Sequence, residues 1–113
     1  MKTTPRVIIE SPYKWENYEG LQENLEYCRQ CILDCLKRWE APFASHILYT
    51  QVLDDRNPED RYTWIEAWLE WGKSADYTVV YEDRGISQWM KYWIRKALEE
   101  WREVFYRTLY NNK

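Results

Sequence analysis

Arg84-Gly85-Ile86-Ser87 follows a β-branched run and opens an amphipathic one, where the free N–H groups and dipole of a helix start favour a phosphate or other anion. Gly85 lets a ligand approach the backbone, Ser87 adds a hydroxyl and Arg84 a charge; the same residues also make an ordinary strand-to-helix turn capped by Ser87. Trp89 and Trp93, four apart, share a helix face one turn further on. They can stack a purine or nicotinamide-like ring, or belong to a core or subunit interface. Trp64, Trp68 and Trp71 form a second stripe by the same spacing and read as an interface. His46 is the only histidine and can hydrogen-bond a ligand or carry a proton near neutral pH. No Ser or Cys nucleophile motif surrounds it, so it reads as a structural or ligand-orienting imidazole. Cys28, Cys31 and Cys35 stand at i, i+3 and i+7, on one helical face. One rigid helix poorly arranges three thiolates around a metal, and this spacing reads instead as a buried apolar stripe of reduced thiols. Asp54, Asp55, Glu59 and Asp60 could hold Mg²⁺, but acids at a helix start are expected on dipole grounds alone. No metal and no cofactor are expected.

The elements that must position these residues follow from pattern. Val7-Ile8-Ile9, ending at Ser11-Pro12, reads as a strand buried on both faces. Leu21, Leu25, Cys28, Ile32, Cys35 and Trp39 recur at helical steps, giving an amphipathic helix of about five turns that ends before Pro42. Pro42-Phe43-Ala44 has room for a short strand. Asn57-Pro58-Glu59-Asp60 is a helix start, with Asn as N-cap and Pro at the first position, and Gly72 closes that helix. Tyr77–Tyr81 is the clearest strand. Ser87 caps a helix whose apolar face is Met90, Ile94, Ala97 and Trp101, and Val104–Tyr106 returns to a strand. The order βαβαβαβ implies an α/β fold with a four-stranded parallel sheet and right-handed crossovers. In such sheets ligands bind outside the carboxyl ends of the strands, so the informative loops begin at Ser11, Ser45 and Glu82.

With 113 residues the chain is expected to form a single domain over 1–113. A net charge of −3 and a pI near 5.2 remove the usual electrostatic argument for nucleic-acid or anionic-membrane binding. The charge is uneven: residues 1–84 carry ten basic and sixteen acidic side chains, residues 85–113 six and three, so the last quarter is electropositive. Eight Trp and ten Tyr exclude a disordered composition, and the mean hydropathy of −0.81 understates the apolar surface these rings can bury. No signal-peptide or spanning segment is visible, and a cytoplasmic location is expected. Eight Trp in a 14.1 kDa domain exceed what its interior should hold, which predicts a homo-oligomer, a dimer or higher.

Ser11-Pro12-Tyr13, Asn24, Tyr27-Cys28-Arg29, Ala44-Ser45-His46, Leu53-Asp54-Asp55, Pro58-Glu59, Ile65-Glu66-Ala67, Asp76, Val79-Val80-Tyr81 and Asp83-Arg84-Gly85-Ile86-Ser87, in this order and spacing, resemble the uncharacterised phage and bacterial proteins related to nucleoside 2-deoxyribosyltransferases. The resemblance covers nearly the whole chain. It implies a small flavodoxin-like three-layer sandwich and a nucleoside or nucleotide pocket, often completed by a neighbouring subunit. Ser11, Pro12, Tyr13, His46, Asp83, Arg84, Gly85 and Ser87 would be its ligand-binding residues, and Asp54 or Asp55 would meet a sugar hydroxyl. Where that family places a glycine and the glutamate that attacks the anomeric carbon, this chain has Trp89 and Trp93. An indole is neither nucleophile nor general base, so the covalent glycosyl-enzyme route is closed at that position. The expected function is therefore non-catalytic binding or sequestration of a nucleotide or nucleotide-derived signal, which by analogy a phage would use against host defence. An N-glycosidic-bond enzyme using Glu66, Asp83 or Glu10, and an aromatic-rich protein–protein module, are the alternatives.

Overall fold

The structure, a computed structural model, describes residues 4–13, 18–54 and 56–110. Four strands, β1 (Arg6–Glu10), β2 (Ala41–Phe43), β3 (Tyr77–Tyr81) and β4 (Glu103–Arg107), alternate with helices α1 (Tyr18–Lys37), α2 (Ser45–Leu48), α3 (Pro58–Gly72) and α4 (Gln88–Glu99), with a 3₁₀ turn at Tyr49–Gln51. All strand pairings are parallel and the sheet order is β2-β1-β3-β4, the order of a flavodoxin-like doubly wound sheet. The short α2 is an addition to the expected order. Among the described residues no helix is long and apolar enough to cross a membrane.

The alternation of strand side chains divides the core in two. Val7, Ile9, Val79 and Tyr81 pack against Tyr27 and the Cys28–Cys31–Cys35 stripe of α1. The alternate residues Ile8, Glu10, Thr78 and Val80 are equally buried and face the opposite layer, which supplies Trp68 from α3 and Met90 and Ala97 from α4. The three thiols are free and buried, and burial pushes Cys28 up to about 12 and Cys35 up to about 11, so they pack as apolar groups.

Local chemistry sets the helix ends. The Asn57 side chain accepts from the N–H groups of Glu59 and Asp60 (2.9 and 3.3 Å), and Ser87 Oγ accepts from Met90 N (3.2 Å). Gly72 does end α3, but by close approach: a Cβ there would lie 3.2 Å from the Arg102 guanidinium. Two expected core indoles are corrected. Trp39 and Trp101 follow α1 and α4 at φ 63° and 62°, each 78% and 94% exposed respectively. Each sits where the chain leaves its helix through a left-handed residue, with Glu40 N reaching Cys35 O (3.1 Å) and Arg102 N reaching Ala97 O (2.9 Å). Glycine is the usual residue at that position. The apolar periodicity ran two residues past each helix, and the left-handed turn swung the ring into solvent.

Candidate functional site

The chain leaves β1 towards one edge of the sheet and returns at β3 on the other side, opening a crevice beyond the carboxyl end of β1. A cavity of about 280 Å³ lies there, floored by Glu10, Ser11 and His46. Glu10 is the last residue of β1 and Ser11 the next, and both are buried because the strand sits in the middle of the sheet. His46 comes from β2's far end. Its residue pair Ser45-His46 begins α2 directly after the strand, so the imidazole turns back over β1 and its Nε2 stands 2.9 Å from Ser11 Oγ. Thr50 Oγ1 donates to the His46 carbonyl (2.9 Å) and holds the short helix closed.

Indoles form the walls. Trp64 of α3 donates Nε1–H to Ser45 Oγ at 3.0 Å and presents its ring to Tyr13 edge-on, centroids 6.0 Å apart. Trp89 and Trp93 of α4 lie nearly parallel, 6.1 Å apart at 16°. The Arg61 guanidinium lies 5.6 Å over the Trp89 ring at the rim, where Ser87, Gln88 and Met90 bring in the start of α4.

Two titrations are moved from their ordinary values. Burial raises the Glu10 carboxyl to about 8, against the opposing pull of the Trp68 indole N–H and the more distant Arg102. Burial lowers His46 to about 4. At pH 7 the floor of the cavity therefore holds a protonated carboxyl and a neutral imidazole. Such a floor can donate and accept hydrogen bonds without presenting net charge. A hydroxyl against a neutral imidazole is also the geometry of an activated nucleophile, which the sequence did not suggest because Ser11 and His46 are 35 positions apart.

Of the residues expected to bind ligand, Ser11, Tyr13, His46, Ser87, Trp89 and Trp93 meet at this cavity. Pro12 is buried beside it. The others do not. Arg84 turns to α1, its Nε donating to Asn24 Oδ1 at 2.7 Å, and Gly85 is exposed with φ 90°. Asp83 accepts from Tyr27 OH (2.6 Å) and from Leu109 and Tyr110 N (2.9 and 3.1 Å), a clasp for the chain after β4. Burial raises Asp83, but these hydrogen bonds outweigh it and hold the carboxyl below its usual range. Asp54 is exposed and ion-paired with Arg56 (3.0 Å); Asp55 lies outside the described residues. The Trp64–Trp68–Trp71 stripe is not one surface: Trp64 lines the cavity, Trp68 is 3% exposed beneath Glu10, and Trp71 packs on Phe43 (5.1 Å). Glu10 entered the sequence reading only as a substitute acid of the enzyme alternative, and Ser45, Arg61 and Gln88 were not among the residues favoured. The signal that singles out Glu10 is a charged residue closing the buried Val7–Ile9 run.

No curated protein and no solved structure matches the chain. Residues 5–107 match the family described as a domain of unknown function (DUF7768), a span that takes in β1 to β4 and every residue named at the cavity, and the chain belongs to that family.

Proposed function

We propose that the protein binds a nucleotide or nucleotide-derived small molecule in the indole-walled cavity and holds it without turnover. The observation that carries this reading is the convergence of polar groups from β1 and α2 under aromatic walls from α3 and α4, at the end of the sheet where doubly wound folds bind ligands. A volume of about 280 Å³ lies at the small end of ligand pockets, roughly 300–1,000 Å³. One ring system with its sugar fits inside, and any phosphate would extend to the rim, towards Arg61 and the first turn of α4. The carboxylate that would attack a sugar is replaced by Trp93, whose ring is part of the wall.

The test is a panel of nucleosides, nucleotides and ADP-ribose derivatives read by tryptophan quenching and thermal shift. Binding should quench wild-type fluorescence, and Trp93→Ala should weaken affinity about tenfold or more, since one stacked base contributes about 1–3 kcal/mol. Silence across the panel in both readouts would sink the reading and leave a protein–protein module, for which the exposed Trp39 and Trp101 are the anchors.

A second reading is favoured by the 2.9 Å Ser11–His46 contact beside a protonated Glu10: hydrolysis of an N-glycosidic bond. In it Ser11 Oγ bonds to the anomeric carbon and gives its proton to His46 as the bond to the base breaks, and Glu10 protonates the leaving base. Water then releases the sugar from Ser11 and restores the proton to Glu10. Repeated release of free base from a deoxynucleoside, abolished by Glu10→Gln, would establish it. Self-association belongs to the same proposal only in modified form. Its anchors would be Trp39, Trp71 and Trp101, because Trp64 and Trp68 are turned inward.

A further inference from the structure

Glu10 lines the cavity, 6% exposed, and among the described residues it forms no ion pair. The groups around it come from four elements. From α1, the Cys28 thiol is uncharged, pushed by burial up to about 12. From α2, the buried His46 is neutral, engaged with Ser11. From α3, Trp68 directs its N–H at the carboxyl, and Arg61 stands at the rim. Beyond α4, Arg102 acts on it from a distance while bonded to Thr78 Oγ1 (2.9 Å), Gly72 O (2.8 Å) and Glu100 (2.7 Å). A structural carboxylate would have been given a cation, as Glu40 has been given Arg107 at 2.6 Å. Glu10 has instead the Trp68 N–H and a place in the cavity lining, where a ligand would be its other partner.

A neutral carboxyl presents an O–H donor beside a C=O acceptor, the complement of an edge that carries an acceptor beside a donor. We infer that Glu10 is the specificity-determining residue of the cavity, pairing through both oxygens with the acceptor–donor edge of a heterocycle, an adenine-type aminoazine or a lactam, held between the indoles. The inference rests on the binding reading above and names the class of ring bound. An ionised carboxylate offers two acceptors and no donor, so the pairing is lost when Glu10 ionises. Burial places that event near pH 8, and at pH 9 about a tenth of the protein retains the competent form, which predicts an affinity about tenfold lower than at pH 6.5.

The experiment uses adenine and hypoxanthine 9-methylated to remove the N9–H donor beside N3, with N6,N6,9-trimethyladenine and 1,9-dimethylhypoxanthine as the analogues lacking the remaining donor, all read by tryptophan quenching. Wild type should bind 9-methyladenine or 9-methylhypoxanthine at least tenfold more tightly than the analogue lacking the donor, and 9-methyladenine affinity should fall about tenfold from pH 6.5 to pH 9. Glu10→Gln keeps a donor beside an acceptor at every pH; it should bind within about threefold of wild type at pH 7 and show no alkaline fall. Glu10→Ala should lose binding about tenfold or more. Blocked analogues that bind as well as the parents, or a wild-type affinity that does not change with pH, would overturn the inference while leaving the cavity a ligand site. Quenching by none of the four rings would remove both. If the alanine variant fails to fold, the blocked analogues and the wild-type pH profile still decide.

Discussion

Two buried polar clusters lie on opposite faces of the same sheet, and they are built to different rules. On the α1 face Arg107 grips Glu40 through both terminal nitrogens (2.8 and 2.6 Å), Tyr77 donates its hydroxyl to the same carboxylate, and Tyr81 donates to Asp34 at 2.6 Å. Burial raises Glu40, but its bonds to Arg107 and Tyr77 outweigh it and keep the carboxyl below the ordinary range. Every charge has its partner, and the cluster ties edge strand β4 to the segment before β2. On the other face Glu10 and His46 are as deeply buried, but each is neutral, and they open onto a cavity. The first cluster is internally complete and structural. In the second, the polar groups line a cavity, and on the reading proposed above it is there that a ligand would meet them.

The largest effect that would break this contrast is on stability. Arg107→Ala strands a buried Glu40 carboxylate and should cost about 3–5 kcal/mol in urea denaturation at pH 7, with the cavity unaffected in whatever fraction stays folded. A loss under 1 kcal/mol would mean the α1-face cluster is not the structural one.

Next in size is the pH dependence. Glu10 titrates near 4.5 when exposed and near 8 when folded, so above pH 4.5 the folded state keeps a proton that the unfolded chain has released, and stability falls as pH rises towards 8. His46 moves the other way, from 6.5 to about 4: its contribution is present above pH 6.5 and is lost as pH falls towards 4. Between pH 4.5 and 6.5 the two slopes oppose each other. From pH 6.5 to 8 Glu10 acts alone, and at about 1.4 kcal/mol per pH unit the protein should lose about 2 kcal/mol. Glu10→Gln should flatten that alkaline limb; parallel curves for the two proteins would show that Glu10 is not the buried acid.

A smaller effect separates the arginines. Arg84 is the residue that sequence reasoning places at the anion, but it is bonded to Asn24, whereas Arg61 lines the cavity. Arg61→Ala should weaken binding of a phosphate-bearing nucleotide about tenfold, and Arg84→Ala less than about twofold, in a calorimetric titration. Equal losses would return the anion to the Gly85 turn. The smallest shift concerns Trp39 and Trp101, whose left-handed backbone strains any residue with a Cβ. Replacing either by Gly should raise stability by about 0.5–1 kcal/mol by thermal denaturation. Sedimentation of the double variant then shows whether these exposed rings hold copies of the chain together.

Sequence periodicity was a good guide to the elements and a partial guide to the site. Tyr77–Tyr81 is a strand at its expected limits, and Asn57 and Ser87 cap the helices expected of them. Pattern failed where one residue decided direction. Trp39 and Trp101 continue the helical spacing of their apolar faces, yet each lies in the turn that ends the helix. It failed again inside α3, where Trp64, Trp68 and Trp71 share a spacing but meet a cavity, a buried acid and Phe43 in turn. A helical repeat tells which residues share a side; it does not tell what stands opposite each turn.

The sequence by itself determined the order of strands and helices, the parallel sheet that such an order requires, the α1 thiol stripe and the presence of Trp89 and Trp93 on one face. These depend on interactions within a few residues and on connection geometry, both written locally in the chain. Only the tertiary structure decided that Ser11 meets His46, that Arg61 rather than Arg84 reaches the cavity, and that Glu10 is a neutral acid. Those properties come from desolvation and from neighbours tens of positions away, and the same carboxyl at the end of an exposed strand would be an ordinary surface charge.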